Sequence, residues 1–432
     1  MKKLGSLRML FIAITFSVTV TIASAQTFNI VEDFDYYNGA NPLYGTIVQG
    51  PNGNLYGMTE NGGANGDYGT IFEITPAGRL NLYSFCSQTN CLDGRNPAGG
   101  IILANGSLYG TTAYGGTNSA SGTVFKIDAT GRLTTLYNFC QHVGFGGICT
   151  DGSSPTGAMV HATNGNFYGT TFGGGGPLGS FGTVFEITPS GTLTTLYRFC
   201  PQIGCADGSF PTGALIQATD GNIYGTTRVG GEGGGTIFRI TPAGEFTVLY
   251  TFCSQSGCTD GGNPTAGLIQ ASDGNFYGTT AGGGIFKGDD CQVGGCGTVF
   301  RISPAGKFTT LYRFCPESGC VDGRGPEGGV IQASDGNLYG TTTGGGSGKW
   351  GTIFRIASSS GLTTLYSFCS KTNCTDGSGP QAGLVQASNG LLYGTTYTGG
   401  TGTNCSFNQC GTVFSLSFSL SSQFEQALAL SK

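Results

Sequence analysis

The 432-residue chain carries 81 glycines, only 10% charged residues, and 24 acidic against 19 basic side chains. Without a basic footprint it is not built to bind nucleic acid, and so few charges exclude broad electrostatic steering of a partner. The glycines follow no Gly-x-y period, which excludes a collagen-like chain; they recur at fixed places in a longer repeat, where turns need positive φ.

The chain opens with Lys2, Lys3 and Arg8, then a mostly apolar stretch from Met9 to Ile22. Ala23-Ser24-Ala25 offers a small-residue cleavage site before Gln26, so residues 1–25 read as a signal peptide. The apolar stretch is shorter than the roughly 20 residues of a membrane span. No second long apolar run follows, so the expected mature chain has no transmembrane segment and is secreted or periplasmic. Removing the leader leaves 16 basic residues against 24 acidic ones, a net charge of −8.

From residue 26 onward the sequence repeats. Leu-Tyr-Gly-Thr-Thr or a close variant occurs seven times, at Tyr56, Tyr109, Tyr168, Tyr224, Tyr277, Tyr339 and Tyr393. Units of about 50 residues suit four-stranded propeller blades. In the unit starting at Pro326, strands are expected at Gly328 to Ala333, Leu338 to Thr342, Gly351 to Ile356 and Leu362 to Phe368. Turn residues separate them, and Ile, Val, Thr, Tyr and Phe fill them. Apolar residues lie on both faces, as in Ile353-Phe354, which fits sheets packed on both sides.

The phase of the repeat points to a closed ring. Phe28 to Phe34 matches a fourth strand, whereas the last unit stops at a third strand, Gly411 to Phe414. Joining the ends would bury both open edges. The expectation is an all-β, seven-bladed β-propeller over residues 26–417, with four antiparallel strands per blade and a short tail at 418–432.

Ser334-Asp-Gly-Asn-Leu-Tyr-Gly-Thr-Thr342, Gly351-Thr-Ile-Phe-Arg-Ile356 and Leu362-Thr-Thr-Leu-Tyr-Ser-Phe368 carry a family resemblance. The repeat resembles the GloVer-type tandem repeat of exported bacterial proteins over about residues 28 to 417. That resemblance implies a β-propeller and export, and it implies no activity. Members of that family often end in a sorting anchor; the residues after Phe418 are too short and polar for one.

Sixteen cysteines in an exported chain read as disulfides. Cys86–Cys91, Cys200–Cys205, Cys253–Cys258, Cys315–Cys320 and Cys369–Cys374 share a Cys-x4-Cys spacing after the fourth strand. Cys140–Cys149 occupies the same place with a longer loop, and Cys291–Cys296 and Cys405–Cys410 precede a third strand. Turns between strands one and two, and three and four, are short and constant. All cysteines and most length variation fall on the opposite face, where binding is expected.

Candidate site residues are those that break the repeat while keeping its register. The residue after Thr-Thr is Glu60, Ala113, Phe172, Arg228, Ala281, Thr343 or Tyr397, and the residue before the third strand is aromatic at Tyr68, Phe181 and Trp350. Such rings suit sugars or peptides. His161 replaces a recurring Gln (Gln217, Gln270, Gln332, Gln386) and is a candidate for the channel wall. Asp-Gly-x-x-Pro recurs at Asp93, Asp151, Asp207, Asp260, Asp322 and Asp376. A carboxylate ring could hold Ca2+, but an Asx-turn is the expected role of each Asp. Asp289 and Asp290 form a separate, weak Ca2+ candidate; otherwise no metal or cofactor is expected. These features favour a secreted, monomeric, non-catalytic binding or scaffold propeller recognising a glycan, peptide or protein partner. The alternative is an extracellular glycan lyase or hydrolase with its site at the channel mouth.

Overall fold

The computed structural model describes residues 26–417 apart from 44, 119, 177–178, 286–290, 292–293, 358–360, 403 and 406–409. The expected leader, the tail and the Asp289–Asp290 candidate therefore lie outside the described residues. Seven four-stranded sheets follow one another around a ring. Blade 6 is typical, with strands Ile331–Gln332, Leu338–Thr342, Thr352–Ala357 and Gly361–Ser367. All its pairs are antiparallel.

Blades 1 to 6 are each continuous in sequence. Blade 7 takes its outer strand, Phe28–Asp33, from the start of the described chain. That strand pairs antiparallel with Thr412–Leu416, Phe28 opposite Leu416 and Asp33 opposite Thr412. Thr27 and Ser417 tie the seam off, with the Ser417 amide donating to the Thr27 carbonyl at 3.0 Å and the Thr27 amide to Ser417 Oγ at 2.8 Å. The seven-bladed ring and its closure are thus as the repeat phase implied.

The repeat motif states how blades pack. The Phe that ends each fourth strand meets, edge-on or tilted, the third-strand Phe of the next blade. All seven junctions have this pair, at 5.1 to 5.4 Å, including Phe314–Phe354 and the closing Phe34–Phe72. Phe34, Phe72, Phe314 and Phe354 are fully or almost fully buried. The Gly of Tyr-Gly-Thr-Thr makes room for these rings: a Cβ on Gly340 would sit 2.6 Å from Phe354. The second Thr of the same motif is buried and exchanges a hydrogen bond with the first Thr of the third strand, as in Thr342–Thr352 at 2.8 Å. Each such bond contributes about 1 kcal/mol net, and more is lost if one partner is left alone.

One boundary differs. The first strand is only two residues long, not the six expected from Gly328 to Ala333. Near the axis the segments entering the first strands crowd together, and a Cβ on Gly328 would lie 2.5 Å from the Ala382 carbonyl oxygen of the neighbouring blade. Ladder pairing starts only where the blades diverge.

Candidate functional site

Each loop entering a blade crosses the disulfide face and hydrogen-bonds on both sides. In blade 7, the Gly379 amide donates to the Trp350 carbonyl at 2.8 Å, and the Gly379 carbonyl accepts from the Tyr397 amide at 3.1 Å. The same double bond recurs at every junction; in blade 4, the Phe210 amide donates to Phe181 and the Phe210 carbonyl accepts from Arg228. This backbone belt holds the residues after Thr-Thr and those before the third strand around the channel mouth. Their identity is not needed for the belt, because only their backbone atoms take part.

The sixteen cysteines form eight disulfides on this face: Cys86–Cys91, Cys140–Cys149, Cys200–Cys205, Cys253–Cys258, Cys291–Cys296, Cys315–Cys320, Cys369–Cys374 and Cys405–Cys410. No cysteine is free. Among the described residues, one group of ligand-type side chains is drawn together, Cys291, Cys296, Cys315 and Cys320, and its sulfurs are tied up in two of these disulfides.

The Asp ring is a fastening of the disulfide loops, and its mechanism differs from the expected Asx-turn. Asp376 Oδ2 accepts from the Tyr366 hydroxyl at 2.8 Å and from the Ser370 amide and hydroxyl at 2.9 and 2.8 Å. Asp93, Asp151, Asp207, Asp260 and Asp322 accept from Tyr83, Tyr137, Tyr197, Tyr250 and Tyr312 in the same way. Each bond reaches back across the disulfide loop to the fourth strand rather than forward to the turn. Burial pushes the Asp376 carboxyl up, but these hydrogen bonds outweigh it and hold it below the usual range. The partner tyrosines move the other way: burial raises Tyr366 to about 12. After the fourth strand of blade 7, where no cysteine pair follows, Asp35 and Asn38 bond reciprocally at 2.9 Å.

The sequence candidates fall into separate groups. Phe172 and Phe181 converge on Phe210, with centroids 4.8 and 5.8 Å away, and all three are half-buried. Tyr68 is half-buried and packs on the core between blades 1 and 2. Glu60 is held up by burial and by nearby Asp67, and Tyr397 is raised first by its own burial and then by these two acids. Trp350 stands apart. It is the chain's only tryptophan and is 55% exposed. It lines a depression of about 510 Å³ with Arg324, Thr343, Lys349, Cys291 and Gly295.

His161 is not among them. It is exposed at the far, tight-turn end of the first strand, its ring 4.8 Å from that of Phe167. The Gln it replaces elsewhere joins adjacent blades there, as when Gln386 Oε1 accepts the Ser334 amide at 2.8 Å. Blade 2 has Leu103 at this position, and its neighbour Pro51 has no amide hydrogen to offer.

One residue escaped the sequence reading. Glu327 lines an axial cavity of about 240 Å³ with Thr156, Thr212, Thr265 and Gln381. Burial pushes its carboxyl above the usual range against the pull of Arg228. Arg228 itself donates from Nε to Asn263 Oδ1 at 2.9 Å. Thr156 Oγ1 and Gln381 Oε1 are buried without a hydrogen-bond partner in the protein. The signal was in the sequence: the residue after each Asp-Gly-x-x-Pro runs Ala98, Thr156, Thr212, Thr265, Glu327, Gln381, and only one is charged.

No helix among the described residues is long and apolar enough to cross a membrane. The fold is similar to the extracellular domain of a protein described as a hybrid two-component system of B. thetaiotaomicron, at 12% identity and a TM-score of 0.53, covering 89% of this chain and 39% of that one. This chain thus spans well under half the length of that relative. An aldose sugar dehydrogenase of Streptomyces coelicolor is similar at 13% identity and a TM-score of 0.43, covering 91% of this chain and 98% of that one. The first of these likenesses shows the fold alone. No curated protein matches. The Gloeobacter/Verrucomicrobia repeat matches residues 14–204, 145–319 and 289–429, which together take in every blade, and the chain therefore belongs to that repeat family.

Proposed function

We propose that this propeller is a non-catalytic binding module that works outside the cytoplasm and holds a glycan, peptide or protein partner on its disulfide face. Eight disulfides suit an oxidising compartment. The observation that carries the binding reading is Trp350. Blade aromatics such as Phe354 are fully buried, whereas this ring is 55% exposed beside a depression on the face where loops vary. Large exposed aromatics beside polar groups are typical anchors of binding surfaces.

A glycan array probed with residues 26–432 tests the reading. Trp350→Ala should weaken the ligand by more than about 1 kcal/mol, as loss of an anchor does, and leave the melting temperature nearly unchanged. A destabilised variant that still binds normally would make Trp350 a packing residue and refute the assignment.

A second reading, a glycan lyase or hydrolase at the channel mouth, is favoured by Glu327, a half-buried carboxyl in the axial cavity whose affinity for its proton is raised by desolvation. Depolymerisation lost in Glu327→Gln would establish it.

A further inference from the structure

The axial cavity is lined by the residue that follows Asp-Gly-x-x-Pro in blades 3 to 7: Thr156, Thr212, Thr265, Glu327 and Gln381. The fold uses the main chain at these positions and asks little of the side chain. Thr212 Oγ1 donates to the Thr265 carbonyl at 3.3 Å, and Thr265 Oγ1 donates to the Glu327 carbonyl at 3.1 Å. Glu327 is thus held by a backbone oxygen that any residue would supply. Its carboxylate serves no bond of the blade: among the described residues it has no hydrogen-bond or ion-pair partner.

The side-chain oxygens of this wall act mainly as acceptors. Thr212 and Thr265 spend their hydroxyl hydrogens on the next blade and keep their lone pairs. Gln381 Oε1 and Thr156 Oγ1 are buried with no hydrogen-bond partner in the protein, which is costly unless a guest meets them. Half-buried Glu327 adds a formal charge, and its burial holds the proton more tightly than usual against the pull of Arg228. Arg228 gives its Nε hydrogen to Asn263 rather than to this carboxylate. A cation in the cavity would offset the cost at all three groups.

The described lining offers oxygen and neither sulfur nor imidazole, which selects a hard cation. Mg2+ demands a compact, near-octahedral shell. Here the groups come from blades 3, 6 and 7, and a cavity of about 240 Å³ leaves room for several waters at about 30 Å³ each. Ca2+ accepts such a wide, irregular shell of about 6–8 oxygens. We propose that the axial cavity binds one Ca2+ ion, held by the Glu327 carboxylate, Gln381 Oε1 and Thr156 Oγ1, with water completing the shell. A single carboxylate makes the site weak, with a Kd of about 0.1–1 mM, the range of extracellular modules. The ion is independent of the partner proposed for the disulfide face and of Trp350.

Equilibrium dialysis of residues 26–432 against CaCl2 should find one ion per chain. Glu327→Gln should weaken it by about tenfold or more, since it removes the one charged ligand, and Gln381→Leu should weaken it less. Without Ca2+, Glu327→Gln should melt no lower than the parent, because it sheds a desolvated charge. In about 10 mM Ca2+ the parent should melt higher and the variant should not. Asp376→Asn, and Asp289→Asn combined with Asp290→Asn, should bind the ion as the parent does. No Ca2+ bound at about 10 mM, or binding unchanged in Glu327→Gln, would overturn the site. Loss of the ion in Asp376→Asn or in the Asp289–Asp290 variant would place it elsewhere and overturn the site too. If Na+ at matched ionic strength raises the melting temperature as much as Ca2+, and Glu327→Gln abolishes both gains, the calcium assignment fails.

Discussion

Asp376→Asn separates a structural carboxylate ring from a cation site. Asp376 is fully buried. Its Oδ2 accepts three hydrogen bonds at 2.8 to 2.9 Å, and its Oδ1 accepts one from the Lys371 amide at 3.3 Å. With its carbonyl turned to the Oδ2 side, Asn keeps the three bonds without their charge and sets its NH2 against the Lys371 amide. A bond to a charged acceptor contributes about 1.5–3 kcal/mol and a neutral one about 0.5–1.5, so the three bonds together lose about 3 kcal/mol. Urea unfolding at pH 7 would measure this. The sign with pH is fixed by the depressed folded pKa. The stabilisation is complete above the unfolded value of about 3.9 and is lost as pH falls through the lower folded value. The gap between parent and variant should therefore close below about pH 4. A loss under about 0.5 kcal/mol, within the usual range for surface changes, would refute the bonding argument. Stabilisation of the parent by Ca2+, absent in the variant, would restore the cation reading.

Deleting residues 26–35 should lower the melting temperature sharply by calorimetry, because it exposes the Thr412–Leu416 edge and removes buried Phe34. Loss of that Phe side chain alone costs about 3–5 kcal/mol. An unchanged transition would mean the ring does not depend on its seam. Peptide mapping without reduction should find eight local disulfides, and Cys86 joined to a cysteine of another blade would contradict them. Tyr250 and Tyr366, each raised to about 12 by burial first, should stay protonated at pH 11 in an ultraviolet titration of the folded chain. Ionisation of these two near pH 10 would show that neither burial nor their Asp partners hold the protons.

Much of the fold was legible because each blade repeats a local pattern with a distinct partner. Tyr-Gly-Thr-Thr could be recognised as a second strand without knowing that its Gly clears a Phe or that its last Thr bonds a third-strand Thr. The ring's closure was legible from phase alone. Features that depend on neighbouring blades were not. The first strand is cut short by carbonyls of the adjoining blade, and Asp376 turns back to Tyr366 instead of capping its own turn. Tyr68, Phe181 and Trp350 hold the same register, yet Phe181 is covered by Phe210, Tyr68 packs on the core, and Trp350 stays open. Nothing in a single unit distinguishes them. Glu327 was legible as the one charged residue among those that follow Asp-Gly-x-x-Pro, a position outside the register of the residues after Thr-Thr.

The seam between Thr27 and Ser417 also sets an orientation. A fourth strand starts, and a third strand ends, at the tight-turn end of a blade, so both described ends leave side by side on the face opposite the disulfides. Any segment attached before residue 27 or after residue 417 departs from that one point. A tether at either end would hold the molecule like a flower on its stalk, the disulfide rim turned outward, and Trp350 would face away from whatever surface held it. The same adjacency makes the ring a candidate for circular permutation. A short linker across the seam, with new ends opened in a constant turn such as Ser334–Asn337, would give a chain whose seven blades are all continuous in sequence but one.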